Sequence, residues 1–592
     1  MLLKDIYSPG DLKNLTPDRF GELADEMRQC IIDKVNTTGG HMGPNLGIVE
    51  TTIALHYVFN SPNDRMIFDV SHQCYPHKML TGRQEGFSDP DFYMFYTGYT
   101  APEESVHDIF KVGHTSTSVS LAVGVAKARD LIGGDYNVIA IIGDGSLSGG
   151  EAYEGLNNAA TLGSNIIIIV NDNEMSIAEN HGGLYANLKE LRESNGTSPN
   201  NFFKTLGFDY YYVEEGNNTQ ALIEMFNKVK DIDHPTVVHI HTLKGKGLAA
   251  AEADKETYHW TMPINTDEED DEFIPQQASE SYTSVTLDYI KAKADKDKTV
   301  MAICAGTPGV FGYTPEYRNA LGEQYTDVGV AEEHAVAYAS ALANQGAKPI
   351  LSLMSSFVQR TYDQLSQDLA LNKSPITMLI YWGGISNADA THLCTFDVSL
   401  ISNIPNLVYL APTNKEEYLA MLDWSVEQTL YPVAIRVPTC DLVSTGVEDK
   451  TDYSDINKFK MIEEGSQVAI LALGNFFSLG QKVKQDLKTK FNIDATLINP
   501  VYMTGLDCNM LEHLKRKHRL VVTLEDNILS GGFGEKVSRF YGNSSMEVIC
   551  FGAFKEFTDR TPLNDLYQRY HLTPELIVDD IAQTIGLLDA LY

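Results

Sequence analysis

Short runs of β-branched and aliphatic residues recur along the chain, separated by longer amphipathic stretches. The clearest runs are residues 138–142, 166–170, 236–241, 300–304, 376–381, 468–472, 496–499 and 520–524. A strand with one wet face alternates apolar and polar residues; a strand buried on both faces does not. These runs therefore predict parallel strands covered by helices, an α/β class. Two polar interruptions divide the pattern. Residues 267–272 are six consecutive acids between Pro263 and Pro275, which reads as a solvated spacer. A second polar stretch, 446–465, separates the run ending near Val437 from the one starting at Val468. The expectation is three doubly wound α/β domains with mostly parallel sheets, at 1–262, 280–440 and 466–592. Linkers are expected at 263–279 and 441–465.

Composition narrows the function. A chain of 592 residues exceeds one hydrophobic core. Hydrophobic content of 43% and aromatic content of 10% exclude global disorder. Lys and Arg total 45 against 80 Asp and Glu, a net charge of −35. Such a field repels nucleic acid and anionic membranes, so neither is an expected partner. An anionic ligand would need a metal, backbone N–H groups or a few placed cations. The seven cysteines are scattered and show no CxxC spacing, a pattern of reduced thiols. The first residues, MLLKDIYSPGDLKNL, hold no signal-peptide apolar segment, and no run approaches a membrane span. A soluble, cytoplasmic protein is expected.

The chemistry concentrates at 139–180, IAIIGDGSLSGGEAYEGLNNAATLGSNIIIIVNDNEMSIAEN. One predicted strand ends at Gly143-Asp144-Gly145, a helix begins near Gly149–Glu151, and a second strand ends at Asn171-Asp172-Asn173. Parallel strand ends form the crevice where open α/β sheets bind ligands, and a helix N-terminus offers N–H groups to phosphate. Asp144 and Asn173 are hard oxygen ligands, and the Met175 carbonyl completes a set suited to Mg²⁺. GDG alone marks only a turn. GDG and NDN together, each after an apolar strand, form a far more specific pair.

That pair matches a thiamin diphosphate signature, and further motifs extend the likeness. They are TGGHMGPNLGIVETTIALHYVFN at 38–60, DVSHQCYPHKMLTGR at 69–83, KVGHTSTS at 111–118, KGKG at 244–247, DVGVAEEHAV at 327–336 and SSFVQRTYDQ at 355–364. The chain thereby resembles the 1-deoxy-D-xylulose-5-phosphate synthase family of the transketolase superfamily over nearly its full length. The resemblance implies a homodimer that uses thiamin diphosphate and Mg²⁺. It implies a diphosphate-binding first domain, a pyrimidine-binding second domain and a transketolase-like C-terminal domain. The implied reaction is decarboxylation of pyruvate and transfer of the remaining two-carbon unit to an aldehyde, D-glyceraldehyde 3-phosphate, feeding isoprenoid and thiamin precursors.

Residue by residue, the resemblance gives Glu332 as the carboxylate beside the cofactor's ring nitrogen, a role favoured by burial. Phe357 would stack on the pyrimidine. His41 and His259 would face the substrate, joined in catalysis by His392 and Asp389. His72, Gly113, His114, Thr115, Gly145, Ser146, Asn173 and Lys244 would contact the cofactor. A lone histidine is more often structural, and Glu332 by itself could simply open a helix; the motifs around them favour the functional readings.

The pattern breaks at one place. Residues 381–394 read YWGGISNADATHLC, with Trp382 where the family has an arginine that grips the aldehyde's phosphate. One residue is missing between Asp389 and His392, and Thr439 replaces a second phosphate-binding arginine. Arg360 and Arg436 survive and could compensate, but the family has their counterparts as well. Each charge-assisted hydrogen bond contributes roughly 1.5–3 kcal/mol, so losing two weakens a phosphorylated acceptor about a thousandfold. The alternative is therefore a synthase-like carboligase or a transketolase-type enzyme that uses a different aldehyde acceptor, phosphorylated or not. A non-enzymatic paralogue would require damage at Asp144, Asn173 or Glu332, and a dehydrogenase would require a GxGxxG after the first strand; the sequence has neither.

Overall fold

The computed structural model describes residues 2–263 and 280–591, so the acidic run at 267–272 lies outside the described residues. Two compact units emerge: Met1–Ile274 with Val328–Ala331, and Pro275–Asp327 with Glu332–Tyr592.

The first unit is built on a five-stranded parallel sheet. Its strands are β1 (Arg65–Phe68), β2 (Val138–Gly143), β3 (Ile166–Asp172), β4 (Asp209–Val213) and β5 (Pro235–His241), in the order β1-β2-β3-β5-β4. The lack of alternation in the sequence has a direct cause here. Ile139, Ile141, Ile167, Ile169, Val238 and Ile240 pack into a core on one face. Val138, Ala140, Ile142, Ile166, Ile168, Val170 and Val237 pack into another on the opposite face. Each fully buried aliphatic side chain contributes about 1.5–3 kcal/mol, so both faces must be covered.

The second unit carries two sheets. One is parallel, with β6 (Val300–Cys304), β7 (Tyr325–Asp327), β8 (Lys348–Met354), β9 (Thr377–Tyr381), β10 (Val408–Leu410) and β11 (Val433–Arg436), in the order β10-β11-β9-β8-β6-β7. The other contains β12 (Lys460–Glu463), β13 (Gln467–Ala472), β14 (Thr496–Asn499), β15 (His518–Ile528) and β16 (Glu547–Ala553), in the order β12-β14-β13-β15-β16. Only β12 in this sheet runs antiparallel to its neighbour.

That strand corrects the expectation of a plain linker at 441–465. Polar residues dominate the stretch, but Tyr453 and Phe459 are buried and anchor it. Lys460 Nζ is held by Glu417 at 2.7 Å and Asp449 at 2.9 Å, which fixes the start of β12. The seven cysteines carry free thiols. Among the described residues, no helix is long and apolar enough to cross a membrane.

Candidate active site

In the first unit, β2 and β3 lie side by side with Gly143 opposite Asn171, so Asp144 and Asn173 emerge from adjacent strand ends. Asp144 is buried and accepts a hydrogen bond from the Asn180 amide at 2.7 Å. Burial and the neighbouring Asp172 push its carboxyl well above the usual range. Asn173 Oδ1 accepts the Met175 N–H at 3.2 Å, which turns the chain sharply after β3. Glu174, inside that turn, has φ +66°. Lys244 is buried, and its ammonium donates to the Ser176 carbonyl at 2.7 Å. Burial lowers its pKa to about 7 against the opposing pull of Asp144.

Three of the predicted histidines meet. The His41 ring lies 5.2 Å from His72 and 5.6 Å from His259, and His72 stacks on His259 at 5.4 Å. Burial, then mutual repulsion with nearby cations, holds His41 and His259 well below the normal histidine pKa, so both are neutral. The chain reaches His72 through Val70 and Ser71, both at positive φ (56° and 60°). A β-branched residue there is strained, and such strain concentrates at functional loops. Gly113, His114 and Thr115 lie on the loop that leads to the helix Ser118–Ile132. The buried Asp69 braces this loop by accepting the N–H groups of Ser116 (2.8 Å) and Ser118 (2.9 Å). Ser146, just after Gly145, accepts the Ser116 hydroxyl through its carbonyl at 2.8 Å.

In the second unit, Glu332 begins the helix Glu332–Asn344 and is 2% exposed. Its Oε2 is buried without a hydrogen-bond partner, with the Arg360 guanidinium 3.8 Å away. Burial pushes its pKa up to about 7, although Arg360 works in the other direction. The Phe357 ring stands edge-on to His392 at 5.9 Å. His392 closes the turn Ala390–His392 and donates its N–H to the Asp389 carbonyl at 2.9 Å. The Asp389 carboxylate lies 3.7 Å from Arg560, a partner the sequence reading missed.

The broken segment is rebuilt around other interactions. Trp382 is 52% exposed at φ +62°. Thr439 accepts the Asn475 amide at 3.0 Å, and the same amide reaches Asp526 at 2.9 Å. Arg436 does not serve as a replacement cation. It is buried in a two-point pair with Asp397 (2.9 and 3.0 Å) and donates to the Asp526 carbonyl at 3.0 Å.

Residues 3–242 match the 1-deoxy-D-xylulose-5-phosphate synthase family model in two segments, 3–198 and 194–242. Residues 280–443 match the transketolase pyrimidine-binding domain, and 457–577 the transketolase C-terminal domain. A 1-deoxy-D-xylulose-5-phosphate synthase of Symbiobacterium thermophilum is 38% identical, over 97% of this chain and 94% of its own. The chain belongs to the 1-deoxy-D-xylulose-5-phosphate synthase family. Two further synthases agree: that of Caldanaerobacter subterraneus at 36% identity (98% of this chain, 99% of that one) and that of Desulforudis audaxviator at 35% (98% and 96%).

Family membership makes this a thiamin diphosphate- and Mg²⁺-dependent transferase, and the residues present fit both groups. Buried polar atoms are almost always paired, so exceptions point to what they bind. Glu332 Oε2 is one exception, suited to a protonated ring nitrogen; His259 Nδ1 is another. Lys244 is buried, which disfavours its charged form, and an anion beside it would restore that charge. Among the described residues no three His, Cys, Asp and Glu side chains gather as a metal site. A cation at Asp144 would have one carboxylate with amide and carbonyl oxygens around it, a hard-oxygen donor set that suits magnesium.

Sequence reasoning did not find Asn180, Tyr185, Asp69 or Arg560. Asn180 and Asp69 lie inside quoted motifs, yet no spacing rule says that a side chain folds back onto a turn 36 residues earlier. Arg560 gave no signal at all.

Proposed function

We propose that this chain condenses pyruvate with D-glyceraldehyde 3-phosphate, releasing CO₂ and forming 1-deoxy-D-xylulose 5-phosphate. The observation that carries the reading is Glu332: a buried carboxylate with an oxygen that has no hydrogen-bond partner, at the position of the family's glutamate. Thiamin diphosphate, when bound, supplies the nucleophilic carbon and the electron sink for decarboxylation. Asp144, Asn173 and the Met175 carbonyl would hold Mg²⁺. Lys244, with Gly145, Ser146 and the loop 113–115, would receive the diphosphate. Glu332, poised near pH 7, would hold a proton at the cofactor's ring nitrogen, with Phe357 against the ring face. The neutral rings of His41 and His259 can each donate or accept a hydrogen bond at substrate oxygens, with His72 stacked on His259. His392 and Asp389 would orient the aldehyde, with Arg560 fixing Asp389. The domain roles follow: residues 1–262 for the diphosphate, 280–440 for the pyrimidine and 466–592 as the supporting C-terminal domain. The reading extends to a homodimer in the cytoplasm.

A second reading is favoured by one observation: Arg436 is committed to Asp397, while Trp382 and Thr439 carry no charge. Under it, the aldehyde acceptor lacks a phosphate. The deciding experiment is CO₂ release from pyruvate with thiamin diphosphate and Mg²⁺, with D-glyceraldehyde 3-phosphate, with D-glyceraldehyde, or with neither. Stimulation by the phosphorylated aldehyde and a deoxyxylulose phosphate product support the first reading. Stimulation only by the unphosphorylated one supports the second, and inertness toward pyruvate sinks both.

A further inference from the structure

The segment after β3 folds back over both strand-end turns of the first unit. Its start is held by Lys244 on the Ser176 carbonyl. Asn180 donates its amide to Asp144 Oδ2 at 2.7 Å, while its own Oδ1 is buried without a partner. The helix Gly183–Glu193 follows, and Tyr185, Leu188 and Arg192 share one of its faces by their i, i+3, i+7 spacing. The Tyr185 hydroxyl donates to the carbonyls of Asp144 (3.1 Å) and Gly145 (3.3 Å). Leu188 is fully buried. Arg192 pairs with Asp172 and with Glu174 at 3.2 Å, and Asp172 also takes a hydrogen bond from His239 at 2.9 Å. One helix face, together with Asn180 three positions before the helix, thus grips the turn after β2 and the turn after β3.

We propose that Asn180, Tyr185 and Arg192 are positioning residues that set the cation-binding turns before the cofactor arrives, Asn180 by fixing the Asp144 carboxylate. The inference rests on the reading of Asp144 and Asn173 as cation ligands. Its physical basis is ordering. A carboxylate free to rotate must be fixed when the cation binds, and that ordering subtracts from affinity. Groups that orient a ligand side chain typically change metal affinity 10–100-fold when removed. The amide also offers something a packing residue does not: it hydrogen-bonds the carboxylate directly, so its loss reaches the cation through Asp144.

The test is a Mg²⁺ titration of thiamin diphosphate binding, followed by intrinsic fluorescence or calorimetry, with melting temperatures measured in EDTA and in cofactor plus Mg²⁺. Asn180→Ala should weaken the Mg²⁺ requirement constant about tenfold and leave the melting temperature in EDTA unchanged. Tyr185→Phe should follow in the same direction with a smaller shift. Asn180→Asp, nearly the same shape, places two carboxylates face to face: its melting temperature in EDTA should fall and its Mg²⁺-induced rise should exceed that of the parent. Parental Mg²⁺ affinity in Asn180→Ala, or equal loss of melting temperature with and without the cation, overturns the inference and leaves a packing role. If the unaltered protein itself binds the cofactor without regard to Mg²⁺, the reading of Asp144 fails first and takes the inference with it.

Discussion

The strand-end turns of the first unit and the loop 382–394 of the second have met opposite fates. In the turns, Asp144, Asp172 and Lys244 are buried and tied by neighbours (Asp144 to Asn180, Asp172 to Arg192 and His239, Lys244 to Ser176), and the half-buried Asn173 takes the Met175 N–H. In the loop, the expected charges have gone, a tryptophan faces outward at a backbone angle that favours glycine, and the surviving Arg436 is spent on Asp397. Cofactor binding tolerates little change because cation, diphosphate and ring nitrogen each demand fixed partners. An acceptor subsite can change its substrate and still leave that chemistry intact.

The comparison can be broken most forcefully at Glu332. Glu332→Gln should lower kcat by about 10²–10⁴, the usual worth of a placed proton-transfer group, with the fold unchanged by circular dichroism. Full activity would place the proton elsewhere. Next in size, Arg436→Met should destabilise the second unit by roughly 3–5 kcal/mol, because it strands a buried Asp397; chemical denaturation measures it. Cofactor affinity measured on the folded fraction should stay at the parental value, and a drop there would erase the contrast between the two regions. Smaller still, Trp382→Arg with Thr439→Arg should lower KM for D-glyceraldehyde 3-phosphate about tenfold, roughly one charge-assisted bond's worth, and leave KM for pyruvate unmoved. An unchanged KM would show that the loop was never a phosphate site.

The last effect is one of pH. Glu332 has its pKa raised by burial to about 7, so the folded, cofactor-free protein holds that proton more tightly than the unfolded chain does. The stabilisation is complete below the ordinary glutamate pKa and is lost as pH rises through about 7. Glutamine does not titrate. The Glu332→Gln protein should therefore gain stability over the parent above neutrality, on the order of 3 kcal/mol at most, and the gap should close in acid. A constant gap from pH 4 to pH 8 would contradict the buried, shifted carboxylate.

Much of this was legible in the sequence because burial on both faces leaves a plain signature. The runs 138–142 and 166–170 became β2 and β3, and the GDG and NDN turns fell at their ends. His41, His72 and His259 were each picked out by the resemblance, the first and last for the substrate and His72 for the cofactor, but that their rings meet was not foreseen. What stayed hidden were side chains that act across the fold. Asn180 and Tyr185 reach back to Asp144, and Arg560 comes from the last sheet's neighbourhood to meet Asp389. Residues 441–465 hid a strand because one short antiparallel edge, anchored by Tyr453 and Phe459, has no periodicity to show.

Asp526 ties the two sheets of the second unit more closely than their separate family matches imply. From β15 it receives Arg436 of β11 on its carbonyl, and its carboxylate takes the Ile385 N–H at 2.8 Å and the Asn475 amide. At Gly384 an added Cβ would come within 2.3 Å of that carboxylate. The C-terminal domain is therefore not an interchangeable module: a chimera that imports it from a relative must bring a compatible acid at 526 and keep glycine at 384. Inheritance of this half of the protein is a matter of matched pairs, and recombination breakpoints between 440 and 460 should be poorly tolerated however well each piece folds by its own core.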